Sequence, residues 1–297
     1  LSQPIRHVRT PVLDMAFEAY GPAEASPVIL LHGFPYDPRC FDEVAPPLAA
    51  AGYRVIIPYL RGYGATSFLS AATLRSGQQA AIGQDVLDLM DALAIPKATL
   101  MGFDWGGRAA CIAAAIWPER VHGLVTALGY LIQDIPAASA PAAPDAEARL
   151  WYQYYFHSPR GREALSQNRF ELCHYLWRLW SPSWPFTDEI YRHTAASFDN
   201  PDFVEIVIHS YKHRFGYADG DAGYTALETA LTRQPPITIP TIALAGAADG
   251  LHPHATPDAH KFTNSYQHRL LPNIGHNIPQ EAPGETVRAV LELLKAQ

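Results

Sequence analysis

A chain of 297 residues, 48% hydrophobic and 17% charged, has a globular composition and can bury a sizeable core, and no run approaches the ~20 apolar residues of a membrane span. The 22 Lys and Arg against 29 Asp and Glu leave a net charge of −7 with no basic stripe for a phosphate backbone, so no nucleic-acid partner is expected. Cys40, Cys111 and Cys173 are odd in number, scattered and without C-x-x-C spacing, and residues 1–20 hold no basic stretch followed by an apolar run; the expectation is a cytoplasmic protein with reduced thiols and neither a disulfide framework nor a zinc knuckle.

In chain order, short apolar or β-branched runs at 28–31, 55–57, 98–102, 124–128, 237–245 and 268–271 are each bounded by Gly or Pro or followed by a helix-length segment. That alternation predicts an α/β fold, a mostly parallel central sheet with helices on both faces. The runs are continuous in apolar residues because such strands are covered on both sides. The first leads directly into His32-Gly33-Phe34-Pro35, by itself only a turn. The third leads through Gly102-Phe103-Asp104-Trp105-Gly106-Gly107 into an Ala-rich helical segment at 109–116, the shape of a nucleophile elbow. A side chain on such a turn projects from the carboxyl edge of the sheet, where helix N-terminal N–H groups favour negative charge, and here it is the carboxylate of Asp104.

A carboxylate nucleophile implies an alkyl-carbon electrophile. Serine attacking an sp³ carbon would leave an ether, whereas a carboxylate leaves an ester that water can cleave, and with a reference pKa near ~3.9 it needs no base to ionise it. The backbone N–H groups of Phe34 and Trp105 are candidate donors to the oxyanion formed in that hydrolysis. The plainer alternative is that Asp104 caps the helix that follows it.

After the run at 124–128 the composition changes at a Pro- and Ala-rich tract, 136–144, and residues 145–234 read as largely helical and rich in Trp and Tyr until Pro235, Pro236 and Pro240. The expected organisation is a core in two parts, 1–134 and 237–297, with a helical cap inserted at 135–236. Asp249 follows the next strand in Gly246-Ala247-Ala248-Asp249-Gly250, and His276 follows the last in Gly275-His276-Asn277. His276 is placed to be the base for the hydrolytic water and Asp249 to hold its tautomer, with Asp134 as a rival orienter. The competing explanations are a simple Asp-Gly turn and one more polar histidine among 13.

With His32-Gly33-Phe34-Pro35, Arg61-Gly62-Tyr63-Gly64, the Asp104 turn and Gly275-His276 in this order, nearly the whole chain resembles the epoxide hydrolase and dehalogenase branch of the α/β-hydrolases. The resemblance implies nucleophile, acid and base at Asp104, Asp249 and His276. Trp151-Tyr152-Gln153-Tyr154-Tyr155-Phe156 and His209-Ser210-Tyr211-Lys212-His213 look like the epoxide hydrolase segments that carry two ring-opening tyrosines, which places these at Tyr152 and Tyr211, with Tyr154 and Tyr155 as substitutes if the register differs. Phenols matter because an epoxide oxygen leaves as an alkoxide that needs a proton, whereas a halide needs only N–H donors. The chain departs from the pattern at Phe103, where epoxide hydrolases often have histidine, and at Tyr59, where Asp is more usual before Leu60-Arg61. Phe34 is not the amide or tryptophan that haloalkane dehalogenases use as second halide donor, although Trp105 is placed as the first. Arg108 follows the second glycine, and no arginine immediately follows Asp104 as in fluoroacetate dehalogenases.

The expected activity is opening of a small, apolar epoxide to a vicinal diol. The alternatives are a haloalkane or haloacid dehalogenase and, in another class, a non-catalytic ligand-binding protein. No cofactor is expected. His209 with His213 and His252 with His254 have metal-ligand spacings, but the helical pair lacks the Glu of a His-Glu-x-x-His motif, so no metal is expected either. Trp151, Phe156, Trp177, Trp180, Trp184 and Tyr191 are expected to pack the cap, and Arg178, Lys212 and Arg214 to be solvated helix charges.

Overall fold

The structure, a computed structural model, describes residues 3–253 and 257–295. The apolar runs form adjacent strands: β3 (Pro27–Leu31), β4 (Arg54–Pro58), β6 (Ala98–Gly102), β7 (Val121–Ala127), β8 (Thr241–Gly246) and β9 (Tyr266–Leu271). All six run parallel, in the order β4-β3-β6-β7-β8-β9. Every residue of β6 and β8 is buried, as strands covered on both faces must be. An antiparallel edge of β1 (Arg6–Arg9), β2 (Leu13–Tyr20) and the short β5 (Ser67–Phe68) extends the sheet beyond β4.

Two details differ from the sequence expectation. The edge strands were not anticipated, because β1 is mostly exposed and β2 mixes charged with apolar residues. The run at 237–245 is extended only from Thr241; Pro240 has no N–H for a ladder, and Ile237 makes an isolated bridge to Phe262.

Of the helices packed on the sheet, α2 (Gln79–Ala92) lies against α3 (Asp104–Ile116), and α1 (Ala45–Ala50) against α12 (Pro283–Lys295), so both faces are covered. The alanines of α3 let it approach closely. A Cβ on Gly106 would collide with the carbonyl oxygens of Leu31 and His32. Strand order reverses at β3, so the loops leaving β3 and β6 diverge from a crevice at the carboxyl edge, the usual place for a site in an open α/β sheet.

Between β7 and β8 the chain forms α4 (Pro144–Arg149), α5 (Trp151–His157), α6 (Pro159–Gln167), α7 (Arg169–Trp180), α8 (Asp188–Ala195), α9 (Phe203–His213) and α10 (Thr225–Leu231), and returns to the sheet at β8; α11 (Ile278–Glu281) follows β9. The insertion is bonded to loops at that edge. Trp177 Nε1 donates to the Pro35 carbonyl at 2.9 Å, Ser197 Oγ to Asp37 Oδ2 at 2.6 Å, and Gly250 N to the Trp180 carbonyl at 3.0 Å. Among the described residues no helix is long and apolar enough to cross a membrane.

Candidate active site

Asp104 stands at the turn from β6 into α3 with φ +51°, a left-handed conformation that an L-residue adopts only under strain. Gly33 makes room for it, since a Cβ there would strike the Asp104 side chain. Asp104 Oδ1 accepts a 2.7 Å hydrogen bond from the Phe34 N–H. Burial alone would raise its pKa, but His276, Arg108 and that N–H together hold it below the ordinary carboxylate value, so the group is an anion.

His276 is buried, with Nδ1 2.9 Å from Asp249 Oδ2 and Nε2 3.8 Å from Asp104 Oδ2. Burial disfavours the imidazolium, yet the flanking carboxylates of Asp249 and Asp104 push it up to about 10, so the ring is charged at neutral pH. Asp249 is fixed by the N–H groups of Leu251 and His252, at 2.8 and 3.0 Å on Oδ1. The rival Asp134 is exposed and accepts from the neighbouring Ala137 N–H. Glu281, which sequence reasoning missed, holds the histidine loop by accepting from Gly275 N (2.7 Å), Asn277 N (3.0 Å) and Ser181 Oγ (2.6 Å).

Tyr152 on α5 and Tyr211 on α9 are both buried, with ring centroids 5.4 Å apart. Tyr211 lies 5.5 Å from Phe34 and 5.8 Å from Trp105, and Tyr152 lies 5.1 Å from Trp180. Burial pushes Tyr152 up to about 12 and Tyr211 well above its ordinary value; the Asp104 charge raises both and Arg214 opposes it. Both phenols are protonated at neutral pH. Of the substitutes, Tyr154 is exposed, bonded to Glu147 and on the wall of the cavity that Asp104 lines, and Tyr155 packs on Trp151.

An open cavity of ≈ 900 Å³ is lined by Asp104, Arg108, Tyr152, Gln153, Arg214 and His252, among others. Arg214 corrects the expectation of a solvated charge, since it is only 8% exposed, its guanidinium 4.3 Å over the Tyr211 ring. Arg108 is equally buried. Their convergence is tertiary and left no signal in either local segment. The Trp105 indole N–H is buried without a partner among the described residues.

Other singled-out residues support the frame. His32 Nε2 accepts from Leu60 N at 3.1 Å, which leaves the proton on Nδ1, 3.1 Å from the Gly33 carbonyl. Burial lowers its pKa to about 4. Arg61 grips Asp85 with Nε and Nη2, both at 2.7 Å. His209 Nδ1 accepts from Gly77 N at 3.0 Å while Nε2 faces the Asp219 carbonyl at 3.0 Å, so both nitrogens are occupied. His252 lies in the cavity wall, and His254 falls outside the described residues.

A sequence profile of the alpha/beta hydrolase fold matches residues 26–283. An epoxide hydrolase of Caballeronia sordidicola is 26% identical, across 95% of this chain and 90% of its own length. Epoxide hydrolase A of Mycobacterium tuberculosis is also 26% identical, across 92% of each chain. A crystal structure from Klebsiella pneumoniae subsp. pneumoniae, provisionally described as an epoxide hydrolase, superposes with a TM-score of 0.96 at 48% identity, covering 98% of this chain and 97% of that one. The chain therefore belongs to the α/β-hydrolase family, is an enzyme of that type, and falls in the epoxide hydrolase branch.

Proposed function

We propose that the protein opens an epoxide to a vicinal diol through a covalent ester on Asp104, with residues 135–236 acting as a cap over the site. The observation that carries this is an elbow carboxylate, ionised and served by an Asp249-His276 pair, with two buried phenols within reach of its charge. Relatives named as epoxide hydrolases support it.

A carboxylate oxygen of Asp104 attacks one epoxide carbon, the carbon–oxygen bond breaks, and the freed alkoxide takes a proton from Tyr152 or Tyr211. The phenolate regains its proton at the expense of the His276 imidazolium. Esterification makes this transfer favourable, because neutralising Asp104 removes one of the two charges that held His276 high. Neutral His276 then deprotonates a water, which adds to the ester carbonyl, and the oxyanion is received by the Phe34 and Trp105 N–H groups. Collapse expels the diol alkoxide, which takes the proton left on the new Asp104 carboxyl. Asp104 is again an anion, His276 again a cation, and the sum is epoxide plus water to diol.

A single turnover in heavy-oxygen water tests the route. The added diol oxygen comes from Asp104, so the diol stays unlabelled and the label enters the carboxylate; a labelled diol overturns the covalent path. A second reading, dehalogenation on the same nucleophile, is favoured by the unpartnered Trp105 indole N–H, a donor suited to a halide.

A further inference from the structure

Two buried guanidiniums share the cavity with Asp104. Arg108 stands one turn of α3 beyond it, an axial rise of about 6 Å. Arg214 caps the end of α9. Each is 8% exposed. Arg108 Nε donates to the Leu131 carbonyl at 3.2 Å, and Arg214 Nη1 reaches Gln153 Oε1 at only 3.4 Å. Arg214 Nε and Nη2 are buried with no acceptor among the described residues.

Among the described residues neither guanidinium forms a salt bridge, in contrast to the still more deeply buried Arg61 with its two-point grip on Asp85. Arg108 is pushed down to about 10 by burial and then by the charge of Arg214, so the two cations repel one another. What offsets them is partial. Asp104 is engaged by the Phe34 N–H and His276, and the Tyr211 ring faces Arg214. Of the other carboxylates on the cavity wall, Glu147 is taken up by Tyr154 and the Ala142 N–H, and Asp134 is exposed. A planar guanidinium with a free donor edge matches a carboxylate.

We propose that the substrate is an epoxy acid whose carboxylate docks between Arg108 and Arg214 while the oxirane, a few bonds away, lies against Asp104. The oxirane rests on the function proposed above; the anion site rests on the guanidiniums alone.

The decisive comparison is 3,4-epoxybutanoate against its primary amide. The wild type is expected to favour the acid at least about tenfold in kcat/KM, and Arg108→Gln and Arg214→Gln each to bring that ratio toward one. A wild-type ratio near one, or a ratio untouched in both variants, overturns the proposal and leaves Arg214 as a group that tunes the phenols. Butanoate alone, with butyramide as control, separates the site from the chemistry. It should raise the melting temperature of the wild type and not that of Arg214→Gln, and no shift in the wild type overturns the anion site. Should butanoate bind while neither epoxide is opened, the anion site stands and the epoxide function falls, and chloride release from 2-chlorobutanoate would then name the electrophile. Both variants are expected to fold, since each deletes a buried charge that no salt bridge among the described residues compensates; the wild-type ratio and wild-type butanoate shift decide the matter without them.

Discussion

Replacing Tyr152 or Tyr211 by Phe removes one hydroxyl from the surroundings of the epoxide oxygen and leaves the ring packing in place. Each phenol is buried, so a proton it gave in the proposed ring opening would act where water cannot compensate. Loss of one donor to a developing oxyanion costs about 3 kcal/mol, so each single variant should lose roughly 10² to 10³ in kcat. The rings are 5.4 Å apart and on the proposed mechanism serve one atom, so the double variant should lose more than either single one but less than their product. Stability should barely move: the 2.9 Å hydrogen bond that Gln153 Nε2 donates to Tyr152 Oη is worth about 1 kcal/mol. Rapid-quench single turnovers measure ester formation separately from ester hydrolysis, and only formation should slow. Retention of the formation rate within about threefold in both single variants and in the double variant would refute the role given to the phenols. Chloride release from a haloalkane, if the enzyme catalyses it, should be largely indifferent to both changes.

Burial holds the His32 imidazole neutral down to about 4, below the value of an unfolded histidine, so the unfolded chain takes up the proton first as pH falls. The stability this ring contributes is intact above pH ~6.5 and lost as pH drops through ~4, an amount of about 3 kcal/mol. Against His32→Gln, which does not titrate, the wild-type advantage in chemical denaturation should shrink by that amount between pH 7 and pH 4; a constant difference would show that the ring is not buried as described. Two glycines should separate fold from function. Gly106→Ala drives a methyl into backbone carbonyls and should lose at least about 2 kcal/mol of stability, whereas Gly33→Ala strikes the Asp104 side chain and should depress activity far more than the melting temperature.

The middle of the sheet was legible in the sequence because its strands are covered on both faces and must be apolar throughout, as β6 and β8 are. The outer hairpin was not, since β1 faces solvent and carries arginines, and no local pattern separates it from a loop. Asp104 was legible from the glycines around it, whose absent side chains are required by the turn's close contacts. The choice between Asp249 and Asp134 was not, because both follow parallel strands and only the packed sheet brings one of them to 2.9 Å from the imidazole. Tyr152 and Tyr211 followed from a family pattern and not from spacing; they meet because α5 packs on α9. Arg214 was misread because a basic residue at a helix end is ordinarily solvated, and nothing local shows that this helix end turns into a cavity.

Mass spectrometry of a His276→Gln variant after incubation with an epoxide tests the central claim most directly. With water no longer activated, the enzyme should gain the full mass of the substrate, and the fragment bearing it should locate the addition at Asp104. An unmodified protein, or an adduct on any other residue, would contradict the account.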